Sequence, residues 1–173
     1  TAHHADDNLE TFIINLTRGT GLEGLTGIPE VNQHIVRPLL IFSRDEIEKY
    51  AVQHHIKWRE DLSNASSKYV RNKIRHEVIP ILKEINPSLL ESFQKTSDHL
   101  QESQQLIDES ISDFKKKGVV TQENETLKID IAKIIETKNS KAYLYQLLKE
   151  FGFTEWNDVT HLLKAQSGKE VFS

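Results

Sequence analysis

The fold is decided by the stretch between residues 3 and 27, HHADDNLETFIINLTRGTGLEGLTG. Four apolar residues recur in it at the spacing of one helix face: Leu9, Phe12, Ile13 and Leu16. Acidic Asp6 and Asp7 favour a first helical turn, and Gly19 favours a stop. These signals predict a helix over residues 5–18. The glycine-rich segment 19–27 is too rich in glycine for a regular element, so we predict a functional loop that wraps closely around a ligand or another part of the backbone.

The same kinds of signal predict further helices and strands in the middle of the chain. Ile35–Leu39 reads as a short extended piece, and Ser43 with Glu46 forms a capping box for a helix that ends near His55. We predict a buried strand at 56–58 and turn chemistry at 61–64. A second long helix is predicted from about residue 67 to 85. Its core face is predicted to carry Val70, Ile74, Val78 and Ile81.

Asn86-Pro87 resembles a cap and first helical position, and we place a domain boundary there. A polar helix over 88–116 with a thin apolar stripe comes next. Residues 118–120 and 127–129 read as a small β-hairpin. Two amphipathic helices are predicted at 140–151 and 155–165, the second capped by Thr154, and a last strand begins at Lys169. The apolar stripe comprises Leu89, Phe93, Leu100, Ile107, Ile111 and Phe114.

Composition limits the class of protein. The 173 residues carry a net charge of −4 and include no cysteine, which excludes disulfides, thiolate metal sites and cysteine nucleophiles from this sequence. No apolar run approaches the roughly 20 residues that a membrane span needs, and no secretory signal is present, so we expect a cytoplasmic protein without a membrane partner. The sequence contains no methionine and opens on what reads as mid-domain sequence, so we interpret it as a fragment.

An acidic cluster opens the first predicted helix. His3, His4, Asp6, Asp7 and Glu10 place two imidazoles and three carboxylates close together. Carboxylates in that number are costly to hold together without a cation among them, either a metal ion or an ammonium group. Ordinary capping by acidic residues with solvated histidines explains the same pattern equally well at this level.

A basic stripe lies on the second long helix. Arg71 and Arg75 are four residues apart and therefore share a helix face, flanked by Lys68 and His76. All arginines of the chain lie at or before Arg75, and their planar donors suit phosphates. The alternative is a solvated face on which the arginines pair with Glu77 and Glu84.

Together these strings resemble the tRNA(Ile)-lysidine synthetase family of PP-loop ATPases. The resemblance rests on five strings in the same order and spacing: TAHHADDNLET (1–11), TRGTGLEGL (17–25), RPL (37–39), DLSN (61–64) and RNKIRHEVIP (71–80). It is specific over residues 1–87 and weaker beyond. It implies the C-terminal part of an α/β, Rossmann-like catalytic domain over residues 1–86. A mainly helical, tRNA-binding or linker domain with a small hairpin, truncated at its end, would follow over residues 87–173.

The resemblance also implies an activity. In that family ATP, with Mg²⁺, adenylates the wobble cytidine of tRNA(Ile), and the amine of free lysine then displaces AMP. The partners implied are therefore tRNA(Ile), lysine and ATP, and a homodimer stays open. The family's Ser-Gly-Gly-x-Asp-Ser phosphate loop does not occur in this chain, so we expect the fragment alone to be inactive.

The resemblance also implies roles for individual residues of this chain, by their match to positions in the family. Asp7 and Glu10 match the acidic positions that hold the lysine substrate, with His4 and Asp6 beside them at the rim of the active site. Arg18 matches a position near the nucleotide and the reacting base, where an arginine neutralises developing charge. The stretch near the tRNA and the entrance of the active site is matched by Arg71, Asn72 and Arg75.

Rival functions come from other classes. A metal-dependent phosphohydrolase would use His3, His4, Asp6 and Asp7 as ligands, although two-metal sites usually draw carboxylates from several strands. A non-catalytic, helical RNA-binding module would be built on the stripe at 68–76. A tRNA thiolation enzyme of the PP-loop class is disfavoured by the lack of cysteine.

Overall fold

The computed structural model describes residues 1–59, 70–123, 126–166 and 168–172. These residues form two compact units, residues 1–104 and 105–173. Helices dominate both units, and the described strands pair only in two antiparallel two-stranded sheets. The described part of the chain therefore contains no parallel sheet of the Rossmann kind.

The first unit is built from helices and one very short hairpin. Its elements are α1 (Ala5–Thr17), α2 (Leu22–Leu25), β1 (Val31–Asn32), β2 (Ile35–Val36), α3 (Arg44–Gln53), α4 (Val70–Lys73), α5 (Ile79–Ile85) and the first part of α6 (Leu89–Phe114). A π-helical turn, Ile74–Val78, joins α4 to α5. The predicted helices at 5–18, 43–55 and 88–116 are confirmed within two residues at each end, and so is the Ser43–Glu46 capping box.

The glycine-rich loop packs against the first turns of α1. Gly27 has φ +82°, and a Cβ there would lie 2.5 Å from Oδ1 of the buried Asn8 side chain. That oxygen also accepts a hydrogen bond from the Ile28 N–H at 2.6 Å. The predicted close approach therefore exists, toward α1. The prediction of no regular element was wrong, because α2 forms inside the loop.

A π-helical turn changes which residues of the second long helix are buried. Pro80 has no N–H to donate and its ring crowds the preceding turn, and the backbone widens there, with the Ile79 N–H donating to the Ile74 oxygen five residues back. Ile74 and Ile79 are the buried apolar residues. The predicted core positions Val70 and Ile81 are 61% and 57% exposed, so that part of the prediction was wrong.

The core of the first unit joins three helices. Leu9 of α1, Ile74 of the π turn, Ile79 of α5 and Phe93 of α6 are all buried and in one cluster. Phe12 meets Phe93 edge-on, with ring centroids 5.3 Å apart. This cluster places α1 alongside the helix that carries the predicted basic stripe.

The second unit is a hairpin and a group of short helices around its own core. Its further elements are β3 (Val120–Glu123), β4 (Thr126–Ile129), α7 (Ile131–Ile135), α8 (Ser140–Leu148) and α9 (Trp156–His161), with 3₁₀ turns at Lys149–Phe151 and Leu162–Lys164. β3 and β4 pair in antiparallel register, Val120 opposite Ile129. The core comprises Ile134, Leu144, Leu147, Val159 and Leu163. A hairpin and both amphipathic helices thus form as predicted, but the first strand lies at 120–123 instead of 118–120, because a π-helical turn, Lys115–Val119, occupies the residues before it.

Other local predictions fail. Ile56 and Trp58 are about half exposed and belong to no strand, so the predicted buried strand at 56–58 was wrong. The described residues 168–172 are not a strand either. Helix α7, which the sequence analysis missed, is capped by Asp130, and α9 begins after Glu155 without the predicted Thr154 cap. The predicted turn at 61–64 lies outside the described residues.

No helix in the described part of the chain is long and apolar enough to cross a membrane.

Candidate functional site

His4 begins the site as the N-cap of α1. Its Nδ1 accepts a hydrogen bond from the Asp7 N–H at 3.4 Å, and the Asp7 carboxylate accepts one from the His4 N–H at 3.1 Å. This is a capping box in which an imidazole takes the place of the usual hydroxyl. The other ring nitrogen, Nε2, lies 3.4 Å from Oδ2 of Asp7. The local sequence alone therefore fixes both side chains at the entry of the helix.

Glu10, one turn further along, is a buried carboxylate in an arginine fork. Its side chain is 1% exposed. Arg75 donates from Nε to Oε1 at 2.6 Å and from its terminal nitrogen to Oε2 at 2.9 Å. The same terminal nitrogen donates to Asp7 at 3.1 Å. The hydrogen bonds that Arg75 donates to Glu10 raise the pKa of its guanidinium above the ordinary value, and the charges of the nearby carboxylates add to this increase against the effect of burial.

Arg71 completes the same network from one turn earlier. Its Nε donates to Oε2 of Glu10 at 3.0 Å, and its terminal nitrogen donates to the Thr11 hydroxyl at 3.0 Å. Thr11 in turn donates to the Asp7 carbonyl at 2.9 Å. Arg71 is 40% exposed whereas Arg75 is 18% exposed, so Arg71 is the solvent-facing member of the pair.

Asp6 faces a different pair of donors. The Arg44 N–H at the start of α3 donates to one oxygen at 2.9 Å, and the Lys83 ammonium of α5 donates to the other at 3.1 Å. Burial acts to raise the pKa of the Asp6 carboxyl, but these two donors and the charge of Lys83 outweigh it and hold the pKa below its ordinary value. Asp6 therefore ties α1 to two other helices as a carboxylate.

Two family models match the chain on either side of α6. One, described as a PP-loop domain, matches residues 1–82, and the other, described as a TilS substrate binding domain, matches residues 122–173. The first match contains the whole network around Glu10.

Curated relatives match almost the entire chain. Proteins named tRNA(Ile)-lysidine synthase from Porphyromonas gingivalis, Bacteroides thetaiotaomicron and Parabacteroides distasonis are 40%, 37% and 36% identical to it, each over 99% of the chain. Over almost its whole length the chain is therefore similar to tRNA(Ile)-lysidine synthases. It spans 37% to 40% of the length of these relatives.

The structure brings together six of the residues that the family resemblance indicated. They are His4, Asp6, Asp7, Glu10, Arg71 and Arg75. Arg18 is exposed at the opposite end of α1, about 20 Å along the helix from His4. Asn72 is buried in the first unit with 8% exposure, and Lys68 lies outside the described residues.

The cation that the acidic cluster requires comes from this chain. Arg71 and Arg75 were expected to face phosphates or to pair with Glu77 and Glu84, but their donors point to Glu10 and Asp7 across the core. A metal-ligand reading of the same carboxylates is not favoured, because each is already hydrogen-bonded to a guanidinium, an ammonium or a backbone N–H. Among the described residues, no group of three or more His, Asp and Glu side chains is arranged to hold a metal ion.

Sequence reasoning missed three participants. Lys83 and the Arg44 N–H meet Asp6 from 77 and 38 residues away in sequence, and no local pattern signals such pairs. Thr11 had a local signal, since it lies four residues after Asp7 on α1 and can bond back to the Asp7 carbonyl.

Proposed function

We propose that the protein acts as a tRNA(Ile)-lysidine synthase, an ATP-dependent carbon–nitrogen ligase that joins lysine to the wobble cytidine of tRNA(Ile) in the cytoplasm. The proposal rests on the relatives that carry this name at up to 40% identity over 99% of the chain. The match to the PP-loop domain model adds support for the use of ATP. In this reaction the cytidine is adenylated, and the lysine amine then replaces AMP.

We assign the catalytic part to residues 1–86, as the C-terminal portion of a Rossmann-like PP-loop domain, and tRNA binding to residues 87–173. The chain has no Ser-Gly-Gly-x-Asp-Ser string, so its residues provide no phosphate loop for ATP with Mg²⁺. Its own contribution to the reaction is to hold lysine and RNA.

Lysine binding is assigned to Asp7 and Glu10. Both carboxylates already have guanidinium partners, so a substrate ammonium group has to share or replace one of them. Arg75 is the tighter partner, because it binds Glu10 through two parallel hydrogen bonds and is only 18% exposed. Arg71 contacts Glu10 through one hydrogen bond and is 40% exposed. We therefore infer that Arg71 is the cation that moves when the lysine ammonium binds at Oε2 of Glu10.

Displacement of Arg71 would free its guanidinium for a phosphate. This reconciles the two roles proposed for the region, because the freed Arg71 can then hold a tRNA phosphate while Arg75 stays beside the carboxylates that hold lysine. Asn72, buried behind them, is assigned to the support of this helix. His4 and Asp6 are assigned to the rim of the site, and Arg18 to a separate position near the nucleotide, at the far end of α1.

The test is lysine ligation to tRNA(Ile) by the protein at the full length of its relatives. We expect ATP-dependent incorporation of labelled lysine. Asp7→Asn and Glu10→Gln should raise the lysine concentration required by at least about tenfold, since each removes a charge that pairs with the substrate ammonium. Asp113→Asn, a surface carboxylate that pairs with Lys116, is the matched control and should behave as the unmodified protein.

Three results would count against the proposal. The first is a folded protein that binds ATP and tRNA(Ile) but incorporates no lysine. The second is an equal loss in Asp113→Asn, which would trace the effect to net charge. The third, an unchanged lysine requirement in Glu10→Gln, would remove Glu10 from lysine binding and leave it the structural role described above.

A further inference from the structure

A small cavity in the second unit has an unusual lining. Its volume is about 300 Å³, and it lies where the start of α8 meets one face of α9 and the 3₁₀ turn that follows. The lining comprises Ser140, Lys141, Asn157, Thr160, His161, Leu163 and Lys164. It includes two lysines and a histidine and no acidic side chain.

Helical spacing builds one wall of the cavity. Asn157, His161 and Lys164 follow one another at intervals of four and three residues, so they share a face of α9 and its extension. Val159, on the other side of the same segment, is buried in the core of the unit, and Leu163 belongs to that core and also lines the cavity. Burial of that side fixes the polar face toward the cavity.

The opposite wall is the first turn of α8. Ser140 and Lys141 are its first two residues, and the Asn139 side chain that precedes them makes no capping hydrogen bond within the described structure. The N–H groups of a first turn have no intrahelical acceptor. This wall therefore adds backbone donors to the cationic side chains.

The two lysines have no partner among the described residues of the unit. Neither Lys141 nor Lys164 takes part in an ion pair or hydrogen bond within the part of the chain that the structure describes. Lys116 and Lys133, in contrast, each lie within 4.0 Å of a carboxylate, Asp113 and Asp130. Two like charges at one cavity without a carboxylate favour an anion there.

From this cavity we infer a phosphate-binding subsite, and its ligand is a phosphate of an RNA backbone. The inference rests on the proposed function. The family model that matches residues 122–173 is described as a substrate binding domain, and RNA is the polyanionic substrate in the proposed reaction. Ammonium groups, hydroxyls and N–H groups are the donors that commonly contact backbone phosphates, and such contacts orient RNA without reading its sequence.

The first arm of the test uses the 173-residue chain and inorganic phosphate. In amide-resolved NMR, the N–H signals of Ser140 and Lys141 should shift with added phosphate and shift little with equal ionic strength of chloride. The double variant Lys141→Gln, Lys164→Gln should lose this response. Lys138→Gln, which removes a nearby exposed charge that does not line the cavity, should keep it.

A second arm measures tRNA(Ile) binding against salt concentration. Loss of one phosphate contact lowers the slope of log Kobs against log salt by about 0.7 to 0.9, so the double variant should lose about that much in slope and roughly fivefold in affinity at physiological salt. Lys138→Gln should change both much less.

The inference is overturned if phosphate leaves the Ser140 and Lys141 signals unmoved, if tRNA does not bind, or if the double variant and Lys138→Gln change binding equally. Failure of the proposed function looks different. In that case the protein ligates no lysine in the assay above, whereas the cavity variants still lower phosphate and tRNA binding.

Discussion

The two positively charged clusters of this chain use their charge differently. Arg71 and Arg75 are directed inward, where buried Glu10 and Asp7 accept their hydrogen bonds. Lys141 and Lys164 are exposed at a cavity and have no carboxylate partner among the described residues. A cation that is already paired contributes first to the fold, and a ligand has to compete for it. An unpaired cation adds little to folding and is available to a ligand from the start.

The largest expected effect is at the centre of the paired cluster. Glu10→Gln leaves two guanidinium groups beside a neutral, buried amide, and breaking such a buried pair typically costs about 3–5 kcal/mol. Urea unfolding, followed by hydrogen exchange of the α1 amides, should show this loss of stability in the first unit. Glu77→Gln, an exposed carboxylate in the same helical region as Arg75, should stay within about 0.5 kcal/mol of the unmodified chain. A Glu10→Gln chain as stable as that control would show that the ion pairs of Glu10 with Arg71 and Arg75 do not stabilise the first unit.

Replacement of the two arginines should lower the free energy of unfolding by unequal amounts. Arg75→Gln removes three hydrogen bonds to carboxylate oxygens of Glu10 and Asp7 from a side chain that is 18% exposed. Arg71→Gln removes one hydrogen bond to the Glu10 carboxylate and two to the uncharged Thr11 hydroxyl and Asp7 carbonyl, from a side chain that is 40% exposed. We expect losses of about 2–3 kcal/mol for Arg75→Gln. For Arg71→Gln the expected loss is at most about 1 kcal/mol. The same unfolding assay compares them directly. Equal losses would remove the reason to regard Arg71 as the exchangeable cation.

Local signals in the sequence were enough for most helices and the second hairpin. Helix α1 follows from its apolar spacing and acidic first turn, and α3 from the Ser43–Glu46 capping box. The π turn before Pro80 was not predicted, and by adding a residue to one turn it moved the buried position that follows Ile74 from the predicted Val78 to Ile79. The missing information there is tertiary, because the pattern alone fits an uninterrupted helix as well.

The site was predictable in its residues but not in its pairing. The acidic cluster and the basic stripe were both identified, and the need of the carboxylates for a cation was inferred from charge alone. That the stripe supplies this cation could not be seen, because the contacts join residues 61 and 65 positions apart in sequence. The basic cavity was missed for a similar reason, since its lysines lie on separate helices and only Asn157, His161 and Lys164 show a regular spacing.

A smaller effect, on the pH dependence of stability, is expected from Asp6, which lies beside the cluster of Asp7, Glu10, Arg71 and Arg75. Because the pKa of Asp6 is lowered in the folded chain, its contribution to stability is complete above the ordinary Asp pKa of about 3.9 and is lost as the pH falls through the lowered value. Asp6→Asn should therefore cost about 1 kcal/mol at neutral pH and progressively less below about pH 4. Stability measured from pH 7 to pH 2.5 checks this, with Asp113→Asn as the exposed control. A cost of Asp6→Asn that did not shrink in acid would show that Asp6 contributes through packing and not as a carboxylate.

The smallest effect should come from the unpaired cluster. Lys141→Gln and Lys164→Gln remove exposed charges that no described carboxylate balances, so the free energy of unfolding should change by less than about 0.5 kcal/mol. Its sign should be toward stabilisation, because two like charges at one cavity repel, and the gain should vanish at high salt. Thermal unfolding of the double variant at low and high salt measures both. If the variant instead lost as much stability as Arg75→Gln, the lysines would have structural partners of their own, and the contrast between a paired and an available cluster would fail.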